Sequence, residues 1–136
     1  MSEDYYFCFT ASLRIYGDIE DLDEITKAVG VNPTSSHLKG DKRSERAKPY
    51  KQAMWAYEPN IHEEESLSKH LNALWAAIGE NAEGIKKLKE KYRVDIFCGY
   101  RSDCDHAGFE VDHNSLTIFK ELEVPFGVSV IVLPPE

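Results

Sequence analysis

The first regular pattern in the chain runs from Phe7 to Ile15. Phe7, Phe9, Ala11, Leu13 and Ile15 take every second position, and Tyr6, Cys8, Thr10, Ser12 and Arg14 fall between and beside them. A period of two predicts a strand with one face on a core. Gly17 and Asp18 turn the chain. Asp21 then caps a helix with Glu24 in capping-box spacing, Leu22, Ile25 and Val29 form its inner stripe, and Gly30 ends it in a left-handed conformation. Val31, Asn32 and Pro33 leave it extended. Residues 34–51 carry no period. Residues 53–57 read as a short strand with Trp55 and Tyr57 on one side, Trp55 as a core plug.

The middle of the chain is helical in period. Asn60 is the expected cap, with Glu63 at the capping-box position and Glu63, Glu64 and Glu65 complementing the helix dipole in the first turn. Leu67, Leu71, Leu74 and Ile78 form the inner stripe, and Gly79 interrupts it. A second piece over 82–92 turns Ile85, Leu88 and Tyr92 inward and carries Lys86, Lys87, Lys89, Lys91 and Arg93 towards its end.

Alternation returns at Val94, Ile96, Cys98 and Tyr100, against Asp95, Gly99 and Arg101, and Phe97 on the polar side suggests cover on both faces. Residues 102–106 form a polar turn and Gly108 a permissive one. Phe109 and Val111 resume the period, which predicts a hairpin with a long loop. Asp112 or Asn114 caps a helix with Leu116, Ile118, Phe119 and Leu122 on its inner side, stopped by Pro125. Val128, Val130 and Val132 alternate with Ser129, Ile131 and Leu133. A run apolar on both faces suits a central strand, ended by Pro134 and Pro135. The sum is an α+β fold: a mixed, largely antiparallel sheet of five to six strands with helices packed on one face. At 136 residues a single domain, 1–136, is expected.

Charge narrows the partners. The net charge is −8, which argues against nucleic acid, since duplex binding needs a basic surface to displace counterions. The start, MSEDYYFCF, lacks a basic region followed by an apolar run, and no apolar stretch approaches membrane-spanning length, so a cytoplasmic chain with no membrane partner is expected. Three cysteines without framework spacing read as reduced thiols. The charge is uneven. Lys39 to Lys51 holds six basic and two acidic residues, Lys86 to Arg93 five and one, and the remainder carries −16.

Candidate chemistry is sparse. Cys98, Asp103, Cys104, Asp105, His106, Asp112 and His113 hold sulfur, imidazole and carboxylate in one stretch. Five residues separate the two cysteines, however, where a structural zinc pair has two to four. A buried thiol beside a polar turn is the simpler reading, and no metal or cofactor is called for. No glycine-rich phosphate loop, GxSxG or HExxH pattern occurs, and His62 and His70 are not four apart. The reading leans away from an enzyme.

The segments DLDEITKAVGVNP, KGD and the strand carrying Trp55, followed by CGYRSDCDHAGFEVDHNSLTIFKELEVPFGVSVIV, resemble a bacterial family designated domain of unknown function 4279. The resemblance spans about Tyr6 to Val132 and includes Pro33, Gly40, Asp41, Trp55, Gly108, Phe109 and Leu122. It implies an α+β fold and bacterial origin, and it assigns no chemistry.

Two functions from different classes follow. A small acidic domain without a catalytic constellation suits a protein-interaction module, such as an immunity protein that neutralises a basic toxin by charge complementarity. Alternatively, a small-ligand or enzymatic site lies near the 101–106 turn. Arg101, Asp103, Asp105 and His106 then supply a donor, acids and a group titrating near neutrality, joined by Lys39, Asp41 and Trp55 from the other loop. A monomer, or a homodimer through a sheet edge, fits either reading.

Overall fold

The longest strand, β1 (Phe7–Gly17), is the middle of a five-stranded sheet in a computed structural model that describes residues 6–104 and 106–133. With β2 (Ser35–His37), β3 (Ala53–Tyr57), β4 (Arg93–Ser102) and β5 (Ser129–Val132), the sheet order is β2-β3-β1-β4-β5. β1 pairs antiparallel with β4 from Phe7↔Ser102 to Tyr16↔Arg93, and with β3 from Leu13↔Tyr57 to Gly17↔Ala53. Only β5 runs parallel to its neighbour. The helices are α1 (Leu22–Val29), α2 (Leu67–Ile78), α3 (Ala82–Leu88) and α4 (Thr117–Leu122). This is the expected mixed, largely antiparallel α+β architecture.

The period of two decides which side is covered. Phe9, Ala11, Leu13 and Ile15 share one face with Trp55, Val94, Ile96, Cys98 and Tyr100, and these form one core cluster with the helix stripes Ile25/Val29, Leu67/Leu71/Leu74/Ile78, Ile85/Leu88 and Ile118/Phe119/Leu122. Trp55 is fully buried there and donates its Nε1–H to Thr26 Oγ1 at 2.9 Å, which ties the sheet to α1. The opposite face, with Thr10, Arg14, Tyr16, Met54, Asp95, Phe97 and Arg101, carries no helix-core contact of this kind.

Local signals were accurate for α1. Asp21 Oδ1 accepts the Asp23 N–H at 3.0 Å, and Gly30 (φ 88°) closes the helix by donating to Thr26 O at 2.8 Å. The start of α2 is different from the expectation. Its cap is Ser66, whose Oγ accepts from Lys69 N at 3.2 Å, not Asn60. The reason lies in β1. β3 covers only Leu13–Gly17, so the Phe9 N–H has no strand opposite it, and the Glu63 carbonyl accepts that proton at 2.8 Å. Residues 60–65 run beside the strand and the helix starts after them, so Glu63, Glu64 and Glu65 lie outside its first turn.

Two more expectations change. The hairpin over Phe109–Val111 does not form, because the free side of β4 is taken by β5. Phe109 instead sets its ring edge-on to Phe9 and Tyr100, with centroids 5.4 and 5.1 Å apart, and Asp112 N–H donates to Ser68 Oγ on α2 at 2.9 Å. The 128–133 run is also not central. β5 is the last strand of the sheet, and its Val130, Ile131 and Val132 are exposed.

Candidate functional site

The residues expected to form one ligand site are spread over the sheet. Trp55 is inside the core. Lys39 and Asp41 sit in the loop that joins β2 to β3, at the end of the sheet where Tyr16 pairs with Met54. Arg101 pairs with Cys8 near the other end of β1. Eight residue steps of strand lead from Cys8 to Tyr16, about 26 Å. Asp103 accepts the Tyr6 N–H at 3.0 Å and so fastens the start of β1, while His106 is exposed. Asp105 lies outside the described residues. Loop 39–51 and the described turn residues 101–104 and 106 are therefore held at opposite ends of β1.

The cysteine-rich stretch is likewise divided. Cys98 faces the core opposite Ala11, and burial pushes its thiol up to about 12, so it stays protonated at neutral pH. Cys104 is half-buried and directs its Sγ to the His106 carbonyl at 3.4 Å. Among the described residues no three His, Cys, Asp or Glu side chains converge as a metal site. No helix among them is long and apolar enough to cross a membrane.

Two features of the sheet stand out instead. The first is an interaction set on the bare face that pattern reading missed. Arg14 forks onto Asp95 through Nε–Oδ1 (2.9 Å) and Nη2–Oδ2 (2.8 Å), and Tyr16 donates its hydroxyl to the same Oδ2 at 2.9 Å. The Arg14 guanidinium lies 4.7 Å over the Phe97 ring, and Arg93 stands 5.5 Å over Tyr16. Burial pushes the Asp95 carboxyl up, but the hydrogen bonds from Arg14 and Tyr16 and the charges of Arg14 and Arg93 outweigh it and hold the group below its usual value. Burial, and then the Asp95 hydrogen bond, raise the Tyr16 hydroxyl. The signal available beforehand was an arginine and an aspartate on the polar positions of two long strands. Their register, which sets Arg14 opposite Asp95, was not readable from the sequence.

The second feature is the edge at β5. Register puts Val130 on the covered side with Tyr100 and Val132 with Ser102, while Ile131 shares the bare side with Arg101. All three are exposed, at 56%, 53% and 41%, and Phe109 and Phe126 are also exposed large apolar residues. Leu133 N–H donates to the Ser102 carbonyl at 2.8 Å. Strand alternation then aims the N–H and C=O of Ser129 and Ile131 at β4 and those of Val130 and Val132 outward. No described strand takes up that outward row. The opposite edge is guarded: β2 has three residues, all polar, and a lysine- and arginine-rich loop follows it. β5 has neither a charge nor a proline among its four residues.

The sequence segment that ends in β5 is acidic: from Asp103 to Leu133 the chain has six carboxylates and one lysine, a net −5 of the total −8, while Arg101 lies beside Ile131 in the register.

A family model described as "Domain of unknown function (DUF4279)" matches residues 5–133, nearly the whole chain. No curated protein and no solved structure matches it.

Proposed function

We propose, for this chain, which belongs to the DUF4279 family, that it is a cytoplasmic protein-interaction domain whose β5 edge takes up an extended strand of a partner protein. The observation that carries this reading is the edge itself: three exposed apolar residues, with outward backbone groups and no guarding charge. Monomeric sheets ordinarily blunt such edges, because an open row of N–H and C=O groups invites pairing. Strand addition uses the main chain for affinity and alternate side chains for specificity. Here Val130 and Val132 would meet the partner on one side and Ile131 on the other.

The net −5 of the 103–133 segment that carries this edge, in a chain of net −8, favours a partner strand flanked by lysine and arginine. Neutralisation of a basic toxin is one role of this kind, and a captured basic partner would support it. A second copy of the chain fits the charge less well, since it would bring the same net −8.

The test is a photo-crosslinking residue placed at Val132 in the producing cell, with Ser36 on β2 as the control edge. A single protein adduct through position 132 and none through 36 is the expected result. Val130→Pro removes one outward N–H while leaving the β4 ladder intact, because proline is tolerated where a strand's N–H faces solvent. It should abolish the adduct with little change in melting temperature. No adduct at 132, or one that survives Val130→Pro in a folded protein, would overturn the proposal.

A further inference from the structure

The opposite end of the bare face holds a cleft that the β5 edge does not explain. Its volume is about 400 Å³, within the range of small-molecule sites, and Arg14, Tyr16, His37, Tyr50, Lys51 and Gln52 line most of it. An adjoining hollow of about 630 Å³ shares His37 and Tyr50 and reaches Lys42 and Arg43.

The walls are held in place before any ligand arrives. The His37 and Tyr50 rings stack with centroids 3.5 Å apart and 10° between planes. Tyr50 N–H donates to the Asp41 carbonyl at 2.8 Å, and Gly40 N–H returns a bond to the Tyr50 carbonyl at 3.0 Å. The loop is thereby folded back on itself in hairpin fashion, with Gly40 at φ 92°. On the other side Asp95 fixes Arg14 through Nε and Nη2, which leaves Nη1 with no hydrogen bond to a described residue.

The unpaired polar groups favour donation. The Lys51 ammonium, like Arg14 Nη1, can only donate, and the side chains of His37, Tyr50 and Gln52, which can both donate and accept, make no hydrogen bond to a described residue either. No carboxylate lines the 400 Å³ cleft itself; Asp95 is held by Arg14 and Tyr16, and Asp41, on the adjoining hollow, accepts the Leu38 N–H at 2.8 Å. In a chain with eight excess acids, the ion pairs among the described residues involve Arg14, Lys69, Lys86 and His113, and none of the six cations from Lys39 to Lys51. A preformed hollow with surplus cationic and neutral donors and no carboxylate in its lining matches an anion.

We propose that this cleft binds a small anion through phosphate or carboxylate oxygens, with Lys51 and Arg14 Nη1 as the charged donors and Tyr50 and Gln52 as the neutral ones. The site is independent of the β5 edge and stands or falls separately.

Amide chemical shifts of the full chain, followed by NMR during titration with inorganic pyrophosphate and, separately, with citrate at constant ionic strength, read the site directly. At least one probe should give saturable shifts confined to His37, Tyr50, Lys51 and Gln52 and their neighbours. The stronger probe identifies phosphate or carboxylate as the chemistry. Lys51→Glu should weaken binding about tenfold or more, a cost of about 1.4 kcal/mol. Lys48→Glu makes the same charge change at an exposed residue outside the cleft lining, and should weaken binding much less. Equal weakening by the two variants, or shifts that spread linearly over all the lysines without saturating by about 10 mM, would mean counterion screening and would overturn the site.

Discussion

Replacing Trp55 by alanine is expected to lower stability by about 3–5 kcal/mol, the range for deleting a buried aromatic. The indole is fully buried in the cluster and tied to α1 through Thr26, and it is the largest fully buried side chain among the described residues. Truncation leaves a cavity and removes the Nε1 bond to Thr26. Native stability is typically about 5–15 kcal/mol, so the variant would retain little margin. At about 4 °C per kcal/mol for a domain of this size, the melting temperature should fall by about 12–20 °C. Trp55→Phe separates the two contributions. It keeps most of the packing, loses the hydrogen bond, and should cost about 1–2 kcal/mol. A thermal melt of Trp55→Ala within a few degrees of the parent would mean that the residue is not the plug described.

Gly30→Ala is expected to cost about 2–3 kcal/mol although it adds a single methyl group. Gly30 holds φ at 88°, where an L side chain is strained by about 1–2 kcal/mol. The new Cβ would also collide with Asn81 Nδ2. That amide is the end of a movable side chain and would swing away, but it would then lose its 3.0 Å bond to the Val29 carbonyl, worth about 1 kcal/mol. The bond joins the end of α1 to the turn before α3, so the loss is in helix docking as well as in the cap. Gly40 also has a positive φ, of 92°, but its Cβ would meet nothing. Gly40→Ala should therefore cost only the backbone part, and chemical denaturation of the pair reads the difference.

What the sequence made legible follows from how far each cause reaches along the chain. β1, α1, the inner stripe of α2 and the alternation of β4 were readable because the burial period is local and core residues recur at it. The cap at Asp21 and the stop at Gly30 were equally local. The beginning of α2 was not, because a β1 amide 54 positions away from Glu63 claims that residue's carbonyl. The β5 run carried the apolar signature of a central strand, yet its place in the sheet depends on a parallel crossover that hydrophobic pattern does not encode. Arg14 and Asp95 were legible as polar positions on two strands and not as a pair, since 81 residues separate them. The same holds for the two loops once expected to share a site: the register ties one near Tyr16 and the other near Cys8, points about 26 Å apart along β1. The basic stretch from Lys39 to Lys51 was visible as a charge run, while the stacked rings of His37 and Tyr50 that give it a wall needed the folded loop.

The alternation of outward and inward amides on β5 is the most direct point at which to test the interaction reading. Hydrogen exchange resolved at Val130, Ile131 and Val132 should be measured first on the isolated chain and then on its complex with the protein crosslinked through position 132. In the isolated chain the Ile131 amide, directed at β4, should exchange slowly, and those of Val130 and Val132 should exchange fast. In the complex all three should be slow, as a new strand takes the outward donors. A stable complex in which Val130 and Val132 exchange as fast as in the free chain would contradict strand addition at this edge.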